Sequence, residues 1–149
     1  MSNPINKQVF DSRDLIEYRN ELEEEIVDFY NEYMSDIDED WKDISNIDEV
    51  SFDEADFLEL HQVEIEECSA IKVFCEEISD YSPDFEWGTG IIHEDYFEDY
   101  CKELVIDIGD LPKNLPTYIE DNIDWSGVAD DLKVDYSEAE YDGDTYYFR

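Results

Sequence analysis

HEDYFEDYCKELVIDIG, residues 93–109, is the stretch from which the fold can be read. Phe97, Cys101, Leu104 and Ile108 recur at three- and four-residue intervals, and Tyr100 and Val105 widen the stripe. That period predicts an amphipathic helix from Glu94 to Ile108. Gly109 stands at the C′ position, where a left-handed backbone closes a helix. Carboxylates fill the remaining positions: Glu94, Asp95, Glu98, Asp99, Glu103 and Asp107. A packing stripe wrapped in acids is the pattern of the whole chain.

Toward the C-terminus, Pro112 and Pro116 mark a loop. Asp124 caps a short helix from Trp125 to Lys133, expected to bury Trp125, Val128, Ala129 and Leu132. Tyr136–Tyr141, Asp142-Gly143 and Asp144–Phe148 then predict a hairpin, because Asp-Gly tolerates the positive φ of a type I′ turn. A lone hairpin is marginal, so it must pack on these helices or join further strands.

Toward the N-terminus, Tyr81-Ser82-Pro83 ends the preceding helix, since the residue before proline avoids the helical region. Gly88-Thr89-Gly90 reads as a tight turn. It lacks the spacing and the lysine of a phosphate-cradling loop. A helix opening at Ser51 or Asp53 carries Leu58, His61, Ile65, Cys68, Ile71, Cys75 and Ile78 at helical spacing. A first helix of about five turns, capped by Asp11 or Ser12, carries Leu15, Tyr18, Leu22, Ile26, Phe29 and Tyr33. Between them, Ile37, Trp41, Ile44, Ile47 and Val50 are expected to pin a loop to the core. Asp36, Asp38 and Asp40 do not make a calcium loop: Trp41 and Ile47 stand where glycine and a bidentate glutamate are required.

The expected fold is therefore mostly helical α+β. It divides into an N-terminal helical acidic region (8–80), a connecting loop (81–92) and a C-terminal α+β region (93–149), in which helices pack with a hairpin.

Charge bounds the function. The 149 residues hold 45 acids and 9 bases, a formal net charge of -36. With 42% hydrophobic and 15% aromatic residues the chain has enough apolar surface to build a core, so it is not a disordered acidic tail. Nucleic acid is excluded as a partner, because binding it needs lysine and arginine to displace counterions. An anionic membrane surface is excluded by the same sign. A basic protein surface is the natural partner. No apolar run suits a membrane span, and the first residues lack the apolar core of a signal peptide, which points to the cytoplasm. Cys68, Cys75 and Cys101 form no CxxC motif and read as small buried apolar residues.

Chemistry is not evident. Acid pairs are too common to be diagnostic. His61 and His93 stand in no catalytic or metal-binding motif, and His61 reads as a core or boundary residue. No enzyme activity, cofactor or metal is expected. Rigid helices can instead display carboxylates at spacings comparable to phosphates, offering acceptors to the arginine forks of a DNA-binding groove. Other readings of the acidity are a scaffold for a basic protein unrelated to DNA, a salt-adapted surface and a small metal-dependent enzyme. The wealth of Tyr, Phe, Trp and Ile speaks against salt adaptation.

The words of the C-terminal region carry a resemblance. Asp95, Tyr96, Phe97, Tyr100, Glu103, Leu104, Asp107, Ile108 and Gly109 form a first block. Ile123, Asp124, Trp125, Ala129, Leu132, Asp135, Tyr136, Asp142, Gly143, Tyr146 and Arg149 form a second. In order and spacing they resemble the C-terminal part of the ArdA antirestriction proteins. Phe10 to Asp14, together with Tyr81, Pro83, Asp84 and Gly88, look like two shorter words of ArdA-like phage proteins. Lys133-Val134 and Gly127 depart from the pattern, and 35–80 has no counterpart. The resemblance implies an elongated, often dimeric DNA mimic. Its partner would be a DNA-binding defence protein with a basic groove, first a Type I restriction-modification complex. A CRISPR effector or a BREX methyltransferase is the alternative target. The expected phosphate surrogates are Glu64, Glu67, Glu76, Glu77, Glu94, Asp95, Glu98, Asp99, Glu103 and Asp107. Tyr96, Phe97, Trp125 and Tyr146 are expected in the core.

Overall fold

Alternation along two short strands fixes the architecture. The computed structural model describes residues 3–149. Four strands, β1 (Val9–Asp11), β2 (Gly90–His93), β3 (Ser137–Tyr141) and β4 (Asp144–Phe148), form one antiparallel sheet in the order β1-β2-β4-β3. Successive strand residues point to opposite faces. Ile91, Tyr146 and Phe148 accordingly enter one core, and Ile92 and Tyr147 enter another. A sheet that is apolar on both faces needs cover on both, and helices supply it.

One face is covered by α1 (Ser12–Ile37), α2 (Ala55–Leu60) and α3 (Gln62–Tyr81). Their buried stripes, including Leu15, Leu22 and Ile26 of α1, Phe57 of α2, and Ile71, Phe74 and Ile78 of α3, make the larger core. The other face is covered by α4 (Glu94–Asp107) and α6 (Trp125–Leu132), which bury Phe97, Cys101 and Ala129. A short α5 (Thr117–Glu120) lies between them in sequence and is tied to α4 by Lys102–Glu120 at 2.9 Å.

The mostly helical α+β class is as the sequence predicts. So is the hairpin: Asp142 (φ 52°) and Gly143 (φ 82°) make the expected turn between β3 and β4. Gly109 takes φ 86° just beyond α4. Three details differ. The helix expected to open near residue 51 is two helices, broken at His61 (φ -119°, ψ 28°). That bend lets the fully buried Phe57 reach the same core as the stripe of α3, while the imidazole stacks on Phe29 at 4.2 Å. The connecting stretch 81–92 ends in a strand, and β1 and β2 are pairing partners that the sequence does not disclose. Ile37 is exposed, so it pins nothing. Trp41, Ile44, Ile47 and Val50 pack on the core as expected, and Asn31 of α1 adds to their hold, receiving Ile44 N–H and Trp41 Nε1–H on its side-chain oxygen and donating to the Ile44 carbonyl.

A buried polar clamp joins β1, α1 and the loop before β2. Ser12 Oγ donates to the Phe85 carbonyl at 2.6 Å and accepts from Thr89 N–H at 2.7 Å, and the Ser82 and Thr89 hydroxyls lie 2.7 Å apart. All three side chains are buried, and these bonds meet the requirement that buried polar atoms have partners.

The accessible surface is 9616 Å². A compact monomer of this mass exposes about 8,000 Å², so the molecule carries roughly a fifth more. At 26 residues, α1 alone is about 39 Å long.

Candidate functional site

The acids of α4 are held on one side by its packing stripe. Phe97, Cys101 and Val105 face inward. Glu94, Asp95, Glu98, Asp99, Glu103 and Asp107 are all exposed. Asp95, Asp99, Glu103 and Asp107 stand at i, i+4, i+8 and i+12, so they form a slanting row with neighbours about 6 Å apart along the axis and about 120° of turn from end to end. The 14-residue helix is about 21 Å long, so the six acids, spread over about 220° of its circumference, average one per about 3.5 Å of length. One strand of duplex DNA carries a phosphate per about 3.4 Å.

The start of this helix is fixed firmly. His93 is its N-cap: Nδ1 accepts from Asp95 N–H at 3.0 Å, and Nε2 lies 3.2 Å from an Asp144 oxygen. Glu94 accepts from Thr145 N–H at 3.1 Å, which ties the helix to β4. Tyr96 is half-buried and its hydroxyl donates to Glu103, 3.2 Å from each oxygen. Those bonds hold the two carboxylates in place, and Glu103 remains exposed.

The acids expected on α3 are less uniform. Glu76 is exposed, whereas Glu64, Glu67 and Glu77 are half-buried. Glu67 accepts a short hydrogen bond from Tyr18 Oη of α1. Burial and this carboxylate together push the Tyr18 hydroxyl well above the ordinary phenol range. Glu76 and Glu77 are about 100° apart around the axis. The α3 set is thus partly packing, and its members do not share one face. Phe97 and Tyr146 lie in the core as expected, while Tyr96 and Trp125 are half-buried.

A larger display lies on α1, outside the set of acids expected from the sequence. Asp14, Glu17, Glu21, Glu24, Glu25, Asp28, Glu32 and Asp36 fall within an arc of about 120°. Glu21 and Glu25 are half-buried and the others exposed. From Asp14 to Asp36 this stripe runs about 33 Å, one acid per about 4 Å. The opposite flank of the buried stripe carries Arg13, Arg19, Asn20 and Asn31, with Glu23 held by Lys72 at 3.6 Å. The asymmetry is present in the sequence as an acid period of three and four. It is hidden there because acids are frequent at every spacing.

The stripe costs stability. Glu17–Glu21, Glu21–Glu25, Glu24–Asp28, Asp28–Glu32 and Glu32–Asp36 are like-charge i,i+4 pairs, together unfavourable by about 1–2.5 kcal/mol. Among the described residues, lysine or arginine lies within 4.0 Å only of Asp11, Glu23, Glu120 and Asp130. No basic partner among them neutralises the α1 stripe or the α4 row.

Burial raises the thiols of Cys68, Cys75 and Cys101, that of Cys75 to about 11, which keeps them protonated and unreactive near neutrality. Among the described residues no three His, Cys, Asp or Glu side chains are placed to hold a metal ion. What the arrangement offers is rigid negative charge.

Compared with protein-family models, curated proteins and solved structures, the chain gives no match. The likeness to the ArdA family therefore rests on the motifs quoted above.

Proposed function

We propose that this protein is a DNA mimic that occupies the DNA-binding groove of a bacterial defence enzyme, first among them a Type I restriction-modification complex. The carrying observation is the set of six exposed acids on α4, free of lysine or arginine partners and averaging one per about 3.5 Å of helix, joined by the longer stripe on α1. Each stands on a helix held by a packed core, so the charges are in place before binding. Arginine forks that grip phosphate can grip carboxylate in the same bidentate way. Long-range attraction from a charge of -36 would speed the encounter. The two displays lie on opposite sides of the sheet. A single groove therefore engages one of them unless it wraps around the molecule.

Competition provides the test. A labelled duplex bearing the recognition site is bound to a purified Type I enzyme and titrated with the protein. Displacement near stoichiometric amounts, weakening steeply with salt, is the expected outcome. Replacing Asp95, Asp99, Glu103 and Asp107 by Asn or Gln should abolish displacement if α4 is the contact face. The matching set Glu17, Glu21, Glu24 and Asp28 does so if α1 is. Any single neutralisation should do little. A complex that keeps its DNA throughout the titration overturns the proposal for that enzyme. Binding that unlabelled duplex cannot reverse favours an acidic scaffold instead.

A further inference from the structure

Two apolar hollows meet on the outer side of α3 and share Ile65 as a common wall. The larger, about 550 Å³, lies between α3, Ile26 of α1 and the segment from Ile47 to Phe52. The smaller, about 310 Å³, continues toward Leu58 of α2. Phe52 and Val73 border the larger one and are 43% and 60% exposed.

The groove has the form of a helix seat. Ile65, Ser69 and Val73 lie at i, i+4 and i+8, which places them in one row along α3. The small Ser69 leaves a low waist between two larger residues. From Gln62 to Glu76 the row is about 21 Å long, the length of a partner helix of about 14 residues. The charges are complementary to one kind of helix. Asp48, Glu59, Glu66 and Glu76 line the hollows, and the single cation, Lys72, is paired with Glu23. An apolar floor with an acidic rim fits an apolar row flanked by lysine and arginine.

We propose that this groove docks a basic amphipathic helix of a partner protein, with a bulky apolar side chain seated over Ser69. The inference goes beyond charge mimicry, because it depends on apolar register and not on phosphate-like spacing.

The probe is a fluorescein-labelled 16-residue peptide of leucine and lysine, patterned to place leucine on one helical face. A scrambled peptide of the same composition is its control. The patterned peptide should bind at least tenfold more tightly. Ser69→Tyr fills the waist and should weaken that binding at least tenfold. Val73→Asp should do the same, although its added charge favours a basic ligand. Neither variant should weaken the scrambled peptide. Both positions are exposed, so both variants should melt like the wild type. Equal affinity for the two peptides, or tighter binding by Ser69→Tyr, overturns the proposal. So does sedimentation showing that the wild type self-associates and Val73→Asp is monomeric, since the occupant would then be a second copy. Failure of DNA displacement in the competition assay leaves the expected peptide result unchanged.

Discussion

The two faces of the sheet are covered by different means. On the α1/α3 face the cover is thick: Leu15, Phe57, Ile71, Phe74, Ile78 and Phe148 are essentially inaccessible to solvent. On the α4/α6 face it is thin, with Ile92, Phe97, Cys101, Ala129 and Tyr147 as its buried cluster and Val105 beside them on α4. There cations complete the packing. Lys133 Nζ lies 5.2 Å from the Tyr147 ring centre and 5.9 Å from that of Phe97, Lys102 Nζ lies 5.5 Å from Trp125, and the Arg149 guanidinium 5.1 Å from Tyr136. A chain with 9 bases places three of them over aromatic rings on this face. Scarce cations thus serve to hold the display helix α4 in position, and the outer carboxylates are left unneutralised.

This contrast can be broken at several points. The largest effect is expected from Phe74→Ala, which opens the thick core beside Tyr141 and Tyr146 and should cost about 3–5 kcal/mol in urea denaturation. Phe97→Ala should fall at the low end, about 3 kcal/mol, because the thinner layer can collapse around the gap. A larger loss from Phe97→Ala would reverse the ranking of the two faces.

Alkaline pH sharpens the comparison next. Burial raises Cys75 to about 11 and Tyr146 to about 12 on the thick side, and raises Cys101 and Tyr136 on the thin side. A group whose folded titration is displaced upward stabilises below its unfolded value. That contribution is lost as pH climbs to the folded value. Stability should therefore hold to about pH 9 and fall progressively toward about pH 12, at about 1.4 kcal/mol for each pH unit of displacement. Chemical denaturation at stepped pH reads this directly, and a profile that stays flat across that range would contradict it.

Ser12→Ala removes a hydroxyl that serves Phe85 and Thr89 in the buried clamp, for an expected loss of about 2 kcal/mol. Moderate salt should raise the melting temperature by a few degrees, since screening relieves the roughly 1–2.5 kcal/mol of repulsion along α1. A melting temperature that fell with salt would mean that the acids are paired. The smallest effect is expected from Lys133→Met: about 0.5–1 kcal/mol, the size of an exposed cation–π contact, read as a shift in the denaturation midpoint.

Long periodic segments are legible in the amino-acid sequence alone. The stripe of α4, its terminal glycine, the hairpin and its Asp-Gly turn, and the burial of the three cysteines all follow from spacing and side-chain type. What escapes is short or non-local. Val9–Asp11 and Gly90–His93 are too brief to show alternation, and their pairing spans some eighty residues of sequence. The break at His61 comes from stacking against Phe29 and from the placement of Phe57, which no local signal announces. Among the candidate acids, the exposure of those on α4 is readable because none of them occupies a position of its apolar stripe. That of Glu67 is not, since its bond to Tyr18 depends on how α1 and α3 pack. The α1 stripe is readable in principle and obscured by abundance.

The position of β4 has a consequence for synthesis. This strand lies in the middle of the sheet, bonded to β2 on one side and β3 on the other, yet it comprises residues 144–148. The sheet cannot close until almost the whole described chain has left the ribosome. Until then the core of α1 and α3 lacks Tyr146 and Phe148, the side chains of β4 that complete it. Dense negative charge suits that interval, because mutual repulsion keeps neighbouring nascent chains from sticking together.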